Sequence, residues 1–271
     1  LPPDMGFRPA LLTGSLTGPR RRDIHEAVGK GVYNLIIGTQ SLIREEVSFQ
    51  NLGLVIIDEQ HRFGVRERAL MDRKGGNPNL LVMTATPIPR TLAMTLYADM
   101  DISFIRAYPE GRKGVVTRVL SRSDKRWVFE EIRKRMSLGQ QVFVICPVIE
   151  GSEEEDMKNA VDMAGRLHRS YPEYRIGLVH GRMPPPQRER VMEEFRRGLI
   201  DLLVGTTVVE VGVHVPGATV MVIEHPDRFG LAQLHQLRGR VGRGTQGGLC
   251  LLILSGDVSE RAESRLRTLA E

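Results

Sequence analysis

Cysteine is scarce: the 271-residue chain has two, Cys146 and Cys250. Each lies in an apolar run, Val142 to Cys146 and Leu249 to Leu254. That placement reads as two small buried hydrophobes, not as a disulfide or a metal pair, and it suits a reducing, cytoplasmic setting. Long hydrophobic runs are missing too. No apolar segment approaches the roughly 18 residues that a membrane span needs, and no signal peptide opens the chain. Repetitive and long polar tracts are absent, so a composition of 41% hydrophobic and 26% charged residues is that of a globular protein. Charge leans only mildly to one side. A net charge of +5 permits a polyanionic partner without demanding one. One device is lacking outright: Gly-x-x-x-x-Gly-Lys-Ser/Thr occurs nowhere. Gly29-Lys30-Gly31 has neither its hydroxyl nor its upstream spacing.

What is present is an alternation of short apolar runs and helix-compatible stretches, the pattern of a parallel α/β sheet. Strands are expected at Pro9 to Thr13, Leu35 to Ile37, Leu54 to Ile57 and Leu80 to Met83, with helices at Arg20 to Val28 and Pro89 to Ala98. Continuous apolar runs such as Leu54 to Ile57 read as buried strands, covered on both faces. The Pro-, Gly- and charge-rich segment Tyr108 to Gly114 marks a boundary, giving domains over 1–113 and 114–271. Beyond it the pattern restarts. Strands are expected at Val115 to Leu120, Val142 to Cys146, Ile176 to Val179, Leu202 to Val204, Val220 to Ile223 and Leu249 to Leu254. Helices are expected over Asp124 to Met136, with Asp124 suiting the amino end, over Met157 to Ser170, led into by Gly151 to Asp156 as an acidic loop or first helical turn, and from Pro184 through Phe195. Arg261 to Glu271 reads as an unfinished helix, so an internal piece of a longer protein is expected.

Polar signals punctuate the strand ends. In order they are Thr13-Gly14-Ser15, Gly38-Thr39-Gln40, Asp58-Glu59-Gln60-His61, Thr84-Ala85-Thr86, Gly205-Thr206-Thr207 and Gln236 through Arg243. Ligands of α/β sheets collect beyond the carboxyl ends of the strands. Two adjacent acids there suit a metal-nucleotide site, one holding Mg²⁺ and one handling a water. Alone, the pair reads more readily as a solvated acidic turn. Small hydroxyls and backbone N–H groups at helix starts bind phosphates without reading bases, though singly each is better explained by ordinary capping. Arg240 and Arg243, each preceded by glycine, suit close approach to a phosphate better than they suit the alternative, a basic solvated or DNA-facing helix; Arg238 fits that alternative better.

Taken together, Asp-Glu-Gln-His-Arg-Phe-Gly-Val from Asp58, Thr-Ala-Thr-Pro-Ile-Pro-Arg-Thr from Thr84 and His-Gln-Leu-Arg-Gly-Arg-Val-Gly-Arg-Gly from His235 resemble the RecG branch of the superfamily 2 helicases. The transcription-repair coupling factor is the next nearest. Gln60 and Cys-Pro-Val-Ile-Glu-Gly-Ser-Glu (Cys146 to Glu153) favour RecG. The resemblance spans essentially the whole chain. It implies two tandem RecA-like parallel-sheet lobes, the first without its front strands and phosphate-binding loop. It further implies an ATP-driven double-stranded DNA translocase that remodels stalled replication forks and Holliday junctions in recombination and repair. ATP and Mg²⁺ are the implied cofactors, and forked or branched DNA the implied partner. A single-stranded-DNA-binding protein is a further partner it allows, and the implied state is a cytoplasmic monomer.

Roles carry over position by position. The resemblance assigns Asp58 to Mg²⁺ and Glu59 to the attacking water, with Gln60 and His61 at the nucleotide. It assigns Gln236, Arg240 and Arg243 to the phosphoryl group, the two arginines as fingers. Thr13, Gly14, Ser15, Thr39, Gly205, Thr206 and Thr207 match DNA-contact motifs. Thr84, Thr86, Glu210 and Gly212 match coupling positions, and His180 to Met183 matches a second-lobe element. His214 stands where the family commonly has aspartate near the nucleotide; histidine keeps the hydrogen bonding but cannot pair with an arginine. With no phosphate loop present, the chain alone is expected to be inactive. Two alternatives stay open: a transcription-coupled repair translocase, and a non-catalytic nucleic-acid-binding relic.

Overall fold

In the computed structural model, residues 6–14, 16–44, 46–58, 74, 78–84, 101–105, 107, 113–147, 153–206, 215–242, 244, 246–254, 256 and 258–270 are described. The chain divides into two compact units, Leu1–Pro87 and Ile88–Glu271. This division falls earlier than the expected break at 113/114; the second unit's sheet begins just after that break, at Val115. The expected helix at 89–98 lies outside the described residues.

The first unit contains β1 (Pro9–Leu12), α1 (Gly18–Gly29), β2 (Leu35–Gly38), β3 (Leu54–Ile57) and β4 (Asn79–Val82). Thr17 precedes α1 in extended backbone, and Pro19 opens it, where a missing N–H costs nothing. Among the described residues the strands form two separate parallel pairs, β1–β2 and β3–β4. One expectation needs correcting here. The strands are not covered on both faces: Val55 and Ile57 are buried, but Leu54 is 55% and Ile56 is 56% exposed. Ile37 in β2 is likewise exposed. Strand side chains alternate between faces. Leu12, Val28 and Val47 make one small core and Val55 and Ile57, with Leu52 and Leu80, another. Each core occupies one side of its sheet.

The second unit is a six-stranded, all-parallel sheet in the order β5-β10-β9-β6-β8-β7. Its strands are β5 (Val115–Leu120), β6 (Gln141–Ile145), β7 (Ile176–Val179), β8 (Leu202–Gly205), β9 (Ala218–Glu224) and β10 (Gly248–Ile253). Its helices are α2 (Lys125–Ser137), α3 (Glu153–Ser170), α4 (Pro185–Arg196), α5 (Leu231–Arg238) and α6 (Glu260–Ala270). Here β6, β8 and β9 are buried throughout, covered on both faces as expected, whereas in the edge strand β5 Val116 is exposed. Alternation within β6 shows how. Val142, Val144 and Cys146 face a core built with Val128, Ile132 and Met136 of α2 and Ala160, Ala164 and Leu167 of α3. Phe143 and Ile145 face the other core, with Phe195 of α4, Leu234 and Leu237 of α5 and Leu266 and Leu269 of α6. Both cysteines are buried free thiols, and burial pushes each up to about 12. They are inert hydrophobes.

Asp124 sits at the amino end of α2, as expected, as its N-cap; its carboxylate accepts from the Ser121 hydroxyl at 2.7 Å and from the Ser121 backbone N–H at 2.8 Å. Those bonds hold its carboxyl below the usual aspartate value. Helix α3 begins at Glu153, so of the two readings of 151–156 the first helical turn is the one that holds from 153 on; acidic residues favour a helix amino end.

Candidate functional site

In the first unit, strand register brings the predicted residues out in pairs. Ile57 lies opposite Val82, so Asp58 and Thr84 leave the same carboxyl end of β3–β4, and both are exposed. Met83 N–H donates to the Ile57 carbonyl at 2.8 Å, extending the pairing to the start of this end. Leu12 lies opposite Gly38, so Thr13 and Thr39 leave one end of β1–β2. The two strands approach so closely there that a Cβ on Gly38 would sit 2.2 Å from the Leu12 carbonyl oxygen. Only glycine fits. The buried Ser41 hydroxyl donates to that same carbonyl at 2.8 Å and lies 3.3 Å from Thr39 Oγ1. Ser41 was not expected from sequence; a hydroxyl two residues beyond the strand-end threonine was the available signal. Thr13 is half-buried, whereas Gly14 and Thr39 are exposed.

In the second unit, Val179 lies opposite Gly205, so His180 and Thr206 leave neighbouring strands side by side. Thr206 N–H donates to the Val179 carbonyl at 3.4 Å, and Cys146 N–H donates to the Gly205 carbonyl at 2.8 Å. Gly205 and Thr206 are thus fixed by strands on both sides and are buried. Burial, then the Arg182 charge, holds the His180 imidazole below its ordinary value, so it is neutral near pH 7.

Gln236 lies on α5, a helix missing from the sequence-based assignment. Its apolar positions, Leu234 and Leu237, are buried, and Gln236 is half-buried. At its start the Gln233 side chain accepts from the Gly230 N–H at 3.0 Å. On α6, Arg265 Nη2 donates to the Asp227 carbonyl at 3.1 Å and the Phe229 carbonyl at 3.3 Å, bracing the approach to α5. Gly239 ends the helix; Arg240 N–H then donates to the Leu237 carbonyl at 2.9 Å, and Val241 is buried. Arg238 departs from the solvated reading. It is half-buried, and its Nη2 donates to the Val115 carbonyl at 3.1 Å.

Gly242 sits at φ +67°, and a Cβ there would lie 2.5 Å from Gly248 N and 2.7 Å from Gly248 Cα. Both the backbone angle and the contact with β10 require glycine. Gly242→Ala is therefore expected to destabilise the second unit by roughly 2–4 kcal/mol, the sum of a left-handed alanine and an overpacked contact. Chemical denaturation would measure it; a loss within 0.5 kcal/mol would contradict this packing.

Glu59, Gln60, His61, Ser15, Thr86, Thr207, Glu210, Gly212, His214 and Arg243 lie outside the described residues. Among the described residues no group of three His, Cys, Asp or Glu side chains converges as a metal cage. Mg²⁺ needs no such cage, since it keeps several waters and takes one or two carboxylates together with phosphates. A single exposed carboxylate at a strand end, Asp58, fits that habit.

Comparison with known proteins agrees with this layout. Residues 5–95 match the DEAD/DEAH box helicase family and residues 124–245 the helicase conserved C-terminal domain. The ATP-dependent DNA helicase RecG of Thermotoga maritima is 49% identical over 259 residues, covering 95% of this chain and 33% of that protein. The Aquifex aeolicus RecG is 47% identical over 268 residues, covering 98% of this chain and 34% of that protein. The chain thus spans about a third of the length of the curated relatives it matches. A solved structure of RecG bound to a three-way DNA junction superposes with a TM-score of 0.73 at 45% identity, covering 97% of this chain and 34% of that one. The L327V variant of S. cerevisiae Dbp5 bound to RNA and ADP BeF3 shares the fold at 16% identity, with a TM-score of 0.65 over 98% of this chain and 68% of that one.

Proposed function

Because this chain is a RecG-like helicase core, a DEAD/DEAH box domain followed by a helicase C-terminal domain, we propose that it is the motor of an ATP-driven helicase acting on DNA junctions. The observation that most supports this reading is the 45% identity, over 97% of the chain, to a RecG bound to a three-way junction. In the finer reading the motor translocates on duplex DNA as a cytoplasmic monomer. It remodels stalled forks and Holliday junctions in recombination and repair, with a single-stranded-DNA-binding protein as a further partner.

The residues divide the labour. Asp58 would hold Mg²⁺ through the ion's bound waters, and the ion would supply positive charge to the nucleotide's phosphates. Glu59 orients the attacking water and receives its proton as the water oxygen bonds to the γ-phosphorus and the bond to the ADP oxygen breaks. Gln60, His61 and His214 line the nucleotide. Gln236 hydrogen-bonds the transferring phosphoryl group, while Arg240 and Arg243 neutralise the charge that develops on it. Thr13, Gly14, Ser15, Thr39, Gly205, Thr206 and Thr207 hold the DNA backbone through hydroxyls and N–H groups, which carry no base preference. Thr84, Thr86, Glu210 and Gly212 couple the nucleotide state to those contacts.

Two preparations test the reading. In the intact protein to which this chain belongs, junction DNA is expected to stimulate ATP hydrolysis. The 271-residue chain alone, having no Gly-x-x-x-x-Gly-Lys-Ser/Thr loop to cradle the phosphates, is expected to hydrolyse ATP at background rate. Junction-stimulated turnover by the isolated chain at the intact protein's rate would refute the second expectation. Absence of junction stimulation in the intact protein would refute the function.

A further inference from the structure

Arg238 stands in the last turn of α5, and its partner, the Val115 carbonyl, is 123 residues earlier in the chain. Val115 opens β5, which among the described residues is an edge strand with β10 as its one neighbour in the sheet. Carbonyls along a strand point alternately to opposite sides. The Gly114 and Leu120 carbonyls accept from Gly248 and Leu254 N–H at 2.8 Å each, so even-numbered carbonyls face β10. Val115, odd-numbered, turns its carbonyl to the open edge. Arg238 therefore straps the end of α5 to the rim of the sheet through a charged donor, a stronger bond than a neutral pair makes.

Four residues on, a second anchor holds the same segment. Gly242 N–H donates to the Ala218 carbonyl at 3.3 Å, at the start of β9, and its Cα packs directly on Gly248 of β10. Arg240 lies two residues from each anchor. Its backbone has no freedom to shift unless one of them releases.

We propose that Arg238 is a positioning residue for Arg240, setting where the finger guanidinium meets the phosphoryl group. The proposal rests on the ATPase reading of Arg240 given above. A misplacement of about 1 Å can cost up to a hundredfold in rate, so loss of one of two anchors should cost about tenfold. The expected effect falls on kcat, because a finger acts on charge that develops in the transition state, not on the bound nucleotide.

The test uses the intact protein with junction DNA. Arg238→Met keeps an apolar stem but no donor, and is expected to lower kcat about tenfold with the KM for ATP within about twofold. Arg238→Lys, whose ammonium can donate to the same carbonyl, is expected to recover kcat to within about threefold of the unaltered protein. A kcat for Arg238→Met within twofold of the unaltered protein overturns the proposal, as does Arg238→Lys performing no better than Arg238→Met. Should Arg238→Met fail to fold, Arg238→Leu, which also lacks a donor, replaces it under the same criteria. Arg240→Ala separates the two readings. An inactive Arg240→Ala beside a fully active Arg238→Met overturns this proposal alone; full activity in Arg240→Ala overturns the finger assignment and this proposal with it.

Discussion

Arg240→Ala is expected to lower kcat for junction-stimulated ATP hydrolysis by about a thousandfold, the low end of what arginine fingers contribute. The reasoning starts from placement. Arg240 follows the glycine that ends α5, its N–H is tied to the Leu237 carbonyl, and the next side chain, Val241, is buried. A guanidinium on so fixed a backbone would need little reorganisation to meet a phosphoryl group, which is the condition under which electrostatic stabilisation is large. Arg240→Lys is expected to recover little. An ammonium is a point charge and cannot match phosphate oxygens through a planar fork. Steady-state ATPase with saturating junction DNA measures the loss, and nucleotide binding by fluorescence provides the control. A kcat within tenfold of the unaltered protein would remove Arg240 from the phosphoryl site.

Glu59→Gln is expected to cut turnover by about a hundredfold or more while leaving ATP affinity within about threefold. The exchange is nearly isosteric and keeps a hydrogen-bonding side chain, but the amide cannot take a proton from water. Asp58, immediately before it, would still hold the metal, so the nucleotide should bind as before. The two substitutions therefore differ in cause but share a signature: binding survives and hydrolysis does not. Junction remodelling should disappear with hydrolysis in both. Undiminished remodelling by Glu59→Gln would exclude Glu59 as the group that handles water.

Much of this was readable in the residues because the signals are local. An apolar run of three or four residues that stops at Asp58, Thr84 or Gly205 announces both a strand and its polar carboxyl end, wherever the strand lies in the sheet. The elements in β3, β7 and most of the second unit followed those runs closely. Helix α5 was missed for a physical reason. It has eight residues, and its leucines at 231, 234 and 237 are interleaved with His235, Gln236 and Arg238, too short a stretch to establish a helical period. Ser41 was passed over because a lone hydroxyl after a strand is ordinary turn chemistry until its carbonyl partner is known.

Burial of the short strands was the least legible feature. Leu54-Val55-Ile56-Ile57 and Val142-Phe143-Val144-Ile145 look alike as sequence, yet the first has one exposed face and the second has none. Only neighbours distinguish them: β6 lies between β8 and β9 with helices packed on both sides, whereas β3 pairs with β4 over one small core.

The residues alone determined the alternation of strand and helix, the two cysteines' role as core hydrophobes and the polar groups at each strand end. These depend on periodicity and on side-chain chemistry within a few positions of one another. Tertiary structure decided the sheet order β5-β10-β9-β6-β8-β7, the faces left open and the destination of the Arg238 guanidinium. Those outcomes depend on groups far apart in the chain. A carbonyl 123 residues away becomes a partner only when a particular edge strand turns it outward.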